Sequence, residues 1–112
     1  QTLTRRSLLA GLATLPAAAQ AQDAPLRAPL RIVFSFAAGG AGDAVARLLA
    51  EQLQARLGRP AIVENRTGAG GRIGAQAVKA AAPDGNTLLF AAAGQMVLQP
   101  LTEASLGYDP VA

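Results

Sequence analysis

Two glycine-rich stretches, each placed between an apolar run and a helical pattern, constrain this chain most. Residues 30–35, LRIVFS, are followed by FAAGGAG, and residues 61–64, AIVE, are followed by NRTGAGG. A third apolar run, TLLFAA, occupies residues 87–92. Short β-branched runs that alternate with helices indicate buried parallel strands joined by right-handed crossovers. The order therefore predicts an α/β fold, a parallel sheet with flanking helices.

The two helices are delimited by local signals. Asp43 is predicted as the N-cap of the first helix, which ends near Leu57 because a glycine and a proline follow. A second helix is predicted over residues 72–82, where the turn sequence PDGN ends it, and a short helical turn over residues 98–103 in an otherwise irregular stretch. Apolar residues of the first helix recur at three- and four-residue steps and so share one face: Val45, Leu48, Leu49, Leu53 and Leu57.

Composition excludes several classes of function. The chain has no His and no Cys, which removes the usual zinc sites, thiol nucleophiles, Ser-His-Asp triads and disulfides. Two of its ten basic residues, Arg5 and Arg6, lie near the N-terminus, and the remaining eight nearly balance the seven acidic residues. This near-neutral remainder has a single lysine and argues against a nucleic-acid partner. We therefore expect a protein that is not an enzyme and that carries no metal or cofactor.

Residues 1–21 have the pattern of an export signal. Paired arginines precede the apolar run LLAGLATL, and small residues follow up to an A-x-A motif. Cleavage after Ala21 would leave Gln22 as the first residue of the mature protein. The arginine pair resembles a twin-arginine signal, and the Sec route remains the alternative. Residues 22–29 are predicted to be a linker, and the mature protein is predicted to be soluble and periplasmic.

Both glycine-rich loops are expected at the edge where the parallel strands end, which is where ligands bind in open α/β sheets. Each loop leads into a helix N-terminus, whose unpaired N–H groups attract anions. The pair of loops predicts a cleft that suits a small carboxylate. Arg66 and Arg72 flank the second loop and are candidates for pairing with a ligand acid. The alternative, that the glycines only permit tight turns, stays open at this point.

A dinucleotide-binding oxidoreductase is a second alternative. Gly68, Ala69 and Gly70 open like the G-x-G-x-x-G motif, but Ile73 stands at its closing position. The acidic residue that this motif requires about 20 positions later is missing. Neither loop ends in the Gly-Lys-Ser/Thr sequence of a P-loop.

Four motifs in order connect the chain with one known family. They are F-x-x-G-G-x-x-D at residues 36–43, E-N-R-x-G-A-G-G-x-I-G at 64–74, A-P-D-G-x-T-L-L at 82–89 and Y-D-P at 108–110. With these motifs the chain resembles the substrate-binding receptors of tripartite tricarboxylate transporters, also called the Bug family. The resemblance implies a periplasmic binding-protein fold of type II, in which two lobes close on a small organic acid. It also implies docking onto the membrane permease subunits of the transporter.

The resemblance further implies a set of ligand-binding positions. Members of the family hold the acid largely with backbone groups and water from three loops. Ala37 and Ala38 stand where prolines are common, which should loosen the first loop. Since family members are much longer, residues 30–112 are expected to form part of a first lobe and to bind weakly alone; a non-functional truncated product is the remaining alternative. The implied ligand-binding residues are Phe36, Ala37, Ala38, Gly39, Gly40, Asp43, Asn65, Arg66, Gly68, Ala69, Gly70, Gly71 and Gly94.

Overall fold

A three-stranded parallel sheet forms the centre of the computed structural model, which describes residues 28–111. The strands are β1 (Leu30–Phe34), β2 (Ala61–Asn65) and β3 (Thr87–Phe90), in the spatial order β2-β1-β3. Both pairs are parallel, as the alternation of apolar runs and helices predicts. The predicted fold class, a parallel sheet with flanking helices, is thereby confirmed.

Two helices connect the strands. Helix α1 (Ala41–Leu57) joins β1 to β2, and α2 (Arg72–Ala80) joins β2 to β3 after a 3₁₀ turn at Ala69–Gly71. The chain steps from β1 to β2 in one direction and then returns across β1 to β3. Right-handed crossovers in opposite directions place the two helices on opposite faces of the sheet. The loops that precede both helices therefore lie at one edge, where all three strands end.

The core lies around the central strand. Four of the five residues of β1 are buried, and the Phe34 ring packs at 5.6 Å, between ring centroids, from both Phe36 and Phe90. Two glycines allow the helices to approach β1 closely. A Cβ at Gly42 of α1 would lie 2.6 Å from the Phe34 ring, and one at Gly74 of α2 would collide with Ser35.

The face of α1 that packs against the sheet is not the one that its apolar pattern indicates. Ala46 and Ala50 are buried, at 0% and 5% exposure, whereas the side chains of Val45, Leu48 and Leu49 are 40–58% exposed. Small side chains lie on the sheet side because they let the helix axis come close to the strands. The shared apolar face of α1 is therefore not the face that packs on the sheet.

The N-terminus of α1 also differs from the prediction. Gly40 is the N-cap, and Asp43 is the third residue of the helix. Its carboxylate accepts the backbone N–H of Gly39 at 3.0 Å, so it binds the chain just before the helix, as the acidic residue of a capping box does. At the other end Gly58 adopts φ 65°, ψ 24° and donates its N–H to Gln54, as predicted for a C-terminal glycine.

The chain after β3 is more ordered than the predicted loop. A π-helical turn at Gly94–Leu98 continues into the short helix α3 (Gln99–Thr102). Side chains of α2 then hold residues 105–107: Gln76 donates to the carbonyl of Leu106 and Lys79 to that of Gly107, both at 3.0 Å. Within residues 28–111, no helix is both long and apolar enough to cross a bilayer. The predicted export signal, its cleavage site and most of the linker lie outside the described residues.

Candidate functional site

Three loops meet at the edge where the strands end. The backbone N–H of Arg66, just after β2, donates to the carbonyl of Phe34 at 2.9 Å and joins the second loop to the end of β1. Gln95, after β3, donates to Ser35 Oγ at 3.0 Å and to the carbonyl of Gly71 at 2.6 Å. The structure thus brings the three predicted loop regions together, because parallel strands end at a common edge.

Asp43 is the electrostatic centre of the first loop. It is only 4% exposed, and its Oδ2 accepts hydrogen bonds from Arg47 Nε at 2.9 Å and from the Gly39 N–H at 3.0 Å. Its Oδ1 accepts the side-chain amide of Asn65 at 2.9 Å. The bond from Arg47, then those from Asn65 and Gly39, lower the pKa of Asp43 to about 2. Asp43 is therefore ionised at physiological pH, and both of its oxygens are engaged within the protein.

Asn65 links the first loop to the second. The same amide nitrogen that reaches Asp43 also donates to the carbonyl of Phe36 at 3.0 Å, while Oδ1 faces Arg47 Nη2 at 3.4 Å. Asn65 is the last residue of β2, so the glycine-rich loop begins directly after it. Asp43 and Asn65 both lie at the predicted site, and their side chains hold its loops in place.

The second loop is built on left-handed backbone conformations. Gly68, Gly70 and Gly71 have φ of 127°, 65° and 98°, and Ala69 between them has φ 50°. Glycine adopts such angles freely, whereas alanine does so at a cost. The N–H of Gly71 donates to the carbonyl of Gly68 at 3.0 Å and closes the turn. The loop therefore needs glycines at these positions because its backbone has positive φ angles.

The cations near the loops are paired within the protein. Arg66 Nε lies 2.5 Å from Glu64 Oε1, and Arg31 Nη2 lies 2.6 Å from Glu64 Oε2. The hydrogen bonds from Arg31 and Arg66 hold the pKa of Glu64 below its ordinary value. Arg72 forms an ion pair with Glu103. Because Glu64 is shared by two arginines, the group of Arg31, Glu64 and Arg66 keeps one net positive charge, whereas Arg72 and Glu103 balance each other.

Backbone N–H groups are what the exposed loops offer to an anion. Helix α1 begins at Ala41, and the first N–H groups of a helix have no intrahelical acceptor. In the second loop the turn uses the N–H groups of Gly71 and Arg72, which donate to Gly68 and Ala69. The N–H of Arg66 donates to Phe34, whereas those of residues 67–70, all exposed, lie outside these bonds. Two helix N-termini with adjacent glycines provide a partial positive potential, in addition to the net charge of Arg31, Glu64 and Arg66.

The third loop contributes residues that the sequence analysis did not single out as side-chain contacts. Gly94, the predicted position, opens the π-helical turn. Gln95 and Gln99 follow it one helical turn apart, and each donates its side-chain amide to a carbonyl of the second loop. Tyr108 donates its hydroxyl to the carbonyl of Gln95 at 2.8 Å. A pair of glutamines with i, i+4 spacing was the available signal.

A cavity of about 460 Å³ lies elsewhere, between α2, β3 and residues 108–110. None of the residues that line it belongs to the two glycine-rich loops. Among residues 28–111 there is no group of three His, Cys, Asp or Glu side chains that could hold a metal ion. The loop edge is therefore the candidate site, and its chemistry is that of backbone donors.

Comparison with known proteins connects this arrangement with one family. Residues 45–112 match the model of the tripartite tricarboxylate transporter family receptor. A UPF0065 protein of Bordetella bronchiseptica is 48% identical over 111 residues, which cover 97% of this chain and 33% of that protein. The chain thus spans about a third of the length of this curated relative.

Solved structures give the same result. The periplasmic binding protein BugD superposes with a TM-score of 0.69 and 44% identity, over 73% of this chain and 27% of that one. MatC from Rhodopseudomonas palustris, with bound malate, gives 0.69 and 39% over 73% and 28% of the two chains. An R. palustris protein with adipate gives 0.70 and 32% over 75% and 28%.

Proposed function

Because the chain belongs to the receptor family of tripartite tricarboxylate transporters, we propose that it is part of a periplasmic receptor that captures a small organic acid through a carboxylate. The structurally similar proteins that were solved with malate and with adipate both hold dicarboxylates. The shared feature of such solutes is a terminal carboxylate, for which a cradle of N–H groups is suited.

One observation carries the proposal. The two glycine-rich loops lie side by side at the sheet edge, joined by the Asn65 side chain, while Arg66, Arg72 and Asp43 are all engaged in internal ion pairs. A carboxylate at this edge would meet backbone donors rather than a guanidinium. The proposed ligand-binding set is the exposed backbone of residues 37–41 and 67–70, in which the N–H of Gly39 is already bound to Asp43, with Gly94 of the third loop at the rim.

The wider role follows from the family. We propose that the protein works in the periplasm, closes a second lobe over the solute and delivers it to the permease subunits of the transporter. It performs no chemistry on the solute, since its role is capture and release. The described residues provide one wall of the cleft, so the affinity of this chain alone is expected to be weak.

An NMR titration of the isotope-labelled chain with malate tests the proposal. We expect shifts confined to amides of residues 37–42 and 66–71, with a dissociation constant on the order of millimolar, equivalent to about 4 kcal/mol. The diamide of malic acid is the matched control, because it keeps the size and hydroxyl of malate but has no carboxylate. Equal shifts with the diamide, or shifts centred on the cavity beside α2, would contradict the proposal.

A further inference from the structure

Two glutamines of the third loop reach consecutive carbonyl groups of the second loop. Gln99 Nε2 donates to the carbonyl of Gly70 at 2.7 Å, and Gln95 Nε2 donates to that of Gly71 at 2.6 Å. Residues 95 and 99 are spaced i, i+4, so both side chains lie on one face of the helical segment that follows β3. That face is directed at the turn of the second loop.

These bonds fix two peptide groups from both sides. In a trans peptide the carbonyl and the N–H of the next residue point in opposite directions. The carbonyl of Gly70 is held by Gln99 while the N–H of Gly71 donates to Gly68. The peptide group between Gly70 and Gly71 rotates easily because the residues on both sides of it are glycines, which tolerate positive φ. Rotation would turn the Gly70 carbonyl toward the Gly68 carbonyl, which now accepts the Gly71 N–H, and would open the turn.

Tyr108, from the Y-D-P motif, contacts the backbone of Gln95 and the side-chain amide of Gln99. Its single hydroxyl proton faces two acceptors, the backbone carbonyl of Gln95 at 2.8 Å and Gln99 Oε1 at 3.3 Å. Because the hydroxyl contacts the oxygen end of the Gln99 amide, the nitrogen end faces Gly70. The Y-D-P motif therefore has a structural role next to the site, although none of its residues is among the implied ligand-binding residues.

Gln95 is held still more tightly. Its side chain is 1% exposed, and its amide nitrogen contacts both Ser35 Oγ and the Gly71 carbonyl. Its Oε1 has no hydrogen-bond partner in the described part of the chain. Exchanging the two ends of the amide would place an oxygen against the Gly71 carbonyl. Leaving Oε1 buried without a partner is costly. The hydrogen bond from the amide nitrogen to Gly71 must therefore outweigh that cost and fix the orientation of the amide.

We propose that Gln95 and Gln99, the latter in contact with Tyr108, are positioning residues that hold the carbonyls of Gly70 and Gly71 and so keep the turn of the second loop closed. The N–H groups of residues 67–70, which the turn does not use, then stay in place for an anion. The benefit to solute binding rests on the proposed carboxylate-receptor function; the clamp on the two carbonyls does not.

The variant Gln99→Glu tests the clamp, because it changes the donor to a carboxylate of the same shape on a half-buried side chain. At pH 7 the introduced carboxylate repels the Gly70 carbonyl, and the amide signals of Gly70 and Gly71 should move. A protonated carboxyl carries one O–H donor, so these signals should return toward their wild-type positions as the pH falls through about 4–5. Malate affinity at pH 7 should fall at least about tenfold.

Gln76→Glu is the matched control, because Gln76 also donates to a backbone carbonyl, that of Leu106, outside the loop. It should leave the Gly70 and Gly71 signals unchanged. Tyr108→Phe should shift the same signals as Gln99→Glu, without pH dependence. Unmoved Gly70 and Gly71 signals in Gln99→Glu, or equal shifts in Gln76→Glu, would overturn the proposal. If the Gly70 and Gly71 signals change as expected in the variants but the wild type does not bind malate, the clamp is supported and the proposed function is wrong.

Discussion

Asn65 donates its side-chain amide to the Asp43 carboxylate at 2.9 Å and, with the same nitrogen, to the Phe36 carbonyl at 3.0 Å. These residues come from two sequence motifs, F-x-x-G-G-x-x-D and E-N-R, which are far apart along the chain. In the fold they form one network. The first loop is therefore held by β2 as well as by its own helix.

The ionisation of Asp43 should be visible in the pH dependence of stability. Its pKa in the folded chain is about 2, against 3.8 for the ordinary group. Because the folded pKa is the lower one, the stability it contributes is complete above about pH 4 and is lost as the pH falls toward 2. In urea unfolding, Asp43→Asn should be less stable than the wild type at pH 7, and the difference should shrink between pH 4 and 2. A difference that does not change over this range would contradict the assignment.

Gly74 should be intolerant of any side chain, because a Cβ there would collide with Ser35 and lie 3.1 Å from its Cα. Since that neighbour is backbone, the helix must move away from β1. We expect Gly74→Ala to lower the free energy of unfolding by roughly 1–3 kcal/mol. Gly94→Ala is the control for stability: a Cβ there meets nothing within 4 Å, so it should have a change of less than about 1 kcal/mol. Equal effects of the two substitutions would refute the close packing of α2.

Ala69 offers a test of backbone strain in the second loop. Its φ of 50° costs an L-residue roughly 1–2 kcal/mol, of which the greater flexibility of glycine in the unfolded chain offsets about 0.5–1 kcal/mol. Ala69→Gly should therefore raise the free energy of unfolding by about 0.5–1 kcal/mol in urea titrations. Ala80→Gly, at the end of α2 and outside the loop, should instead be destabilising. A destabilising Ala69→Gly would show that the residue is not strained.

Two substitutions test which face of α1 packs against the sheet: one enlarges a buried side chain and the other makes an exposed side chain polar. Ala46 is fully buried, so Ala46→Leu should overpack the contact with the sheet and cost roughly 1–3 kcal/mol. Leu48 is 58% exposed, so Leu48→Gln should change the free energy of unfolding by less than about 0.5 kcal/mol. Urea unfolding of both variants decides the matter. A larger loss of unfolding free energy in Leu48→Gln than in Ala46→Leu would show that the apolar face of α1 is the packed one.

Local signals were sufficient for the elements, and tertiary geometry was needed for the faces and contacts. The C-terminal glycine of α1 and the PDGN turn are short-range features, so the strand and helix order was predictable. The buried line through Ala46 and Ala50 was not, because periodicity alone does not distinguish a face that is packed from one that is apolar. The i, i+4 spacing of Gln95 and Gln99 indicates a shared face, but the carbonyls that they bind lie 24 and 29 residues earlier, and no local pattern identifies these partners.

The site prediction divides in the same way. Glycine loops after two strands predicted that these loops would meet at one edge of the sheet, as they do, since parallel strands end together. The side chains of Asp43, Asn65 and Arg66 lie at that edge. Asp43 binds Arg47 and Asn65, and Arg66 binds Glu64. Their bonds within the protein support the proposal that backbone groups hold the solute.

Backbone recognition and recognition by a cation give opposite mutational results. Arg66 is already paired with Glu64, so Arg66→Gln should leave the malate dissociation constant within about threefold of the wild type, as expected for an exposed ion pair. Gly40→Ala should weaken malate binding at least about tenfold, because the added methyl stands at the start of α1 where the acid must approach the backbone. Its Cβ meets nothing within 4 Å of the chain, so the stability change should be limited to the poorer N-cap, about 1 kcal/mol. The same malate titration by NMR, run on both variants, checks this pair. If Arg66→Gln abolished binding and Gly40→Ala left it intact, the acid would be held by the guanidinium and the backbone cradle would be wrong.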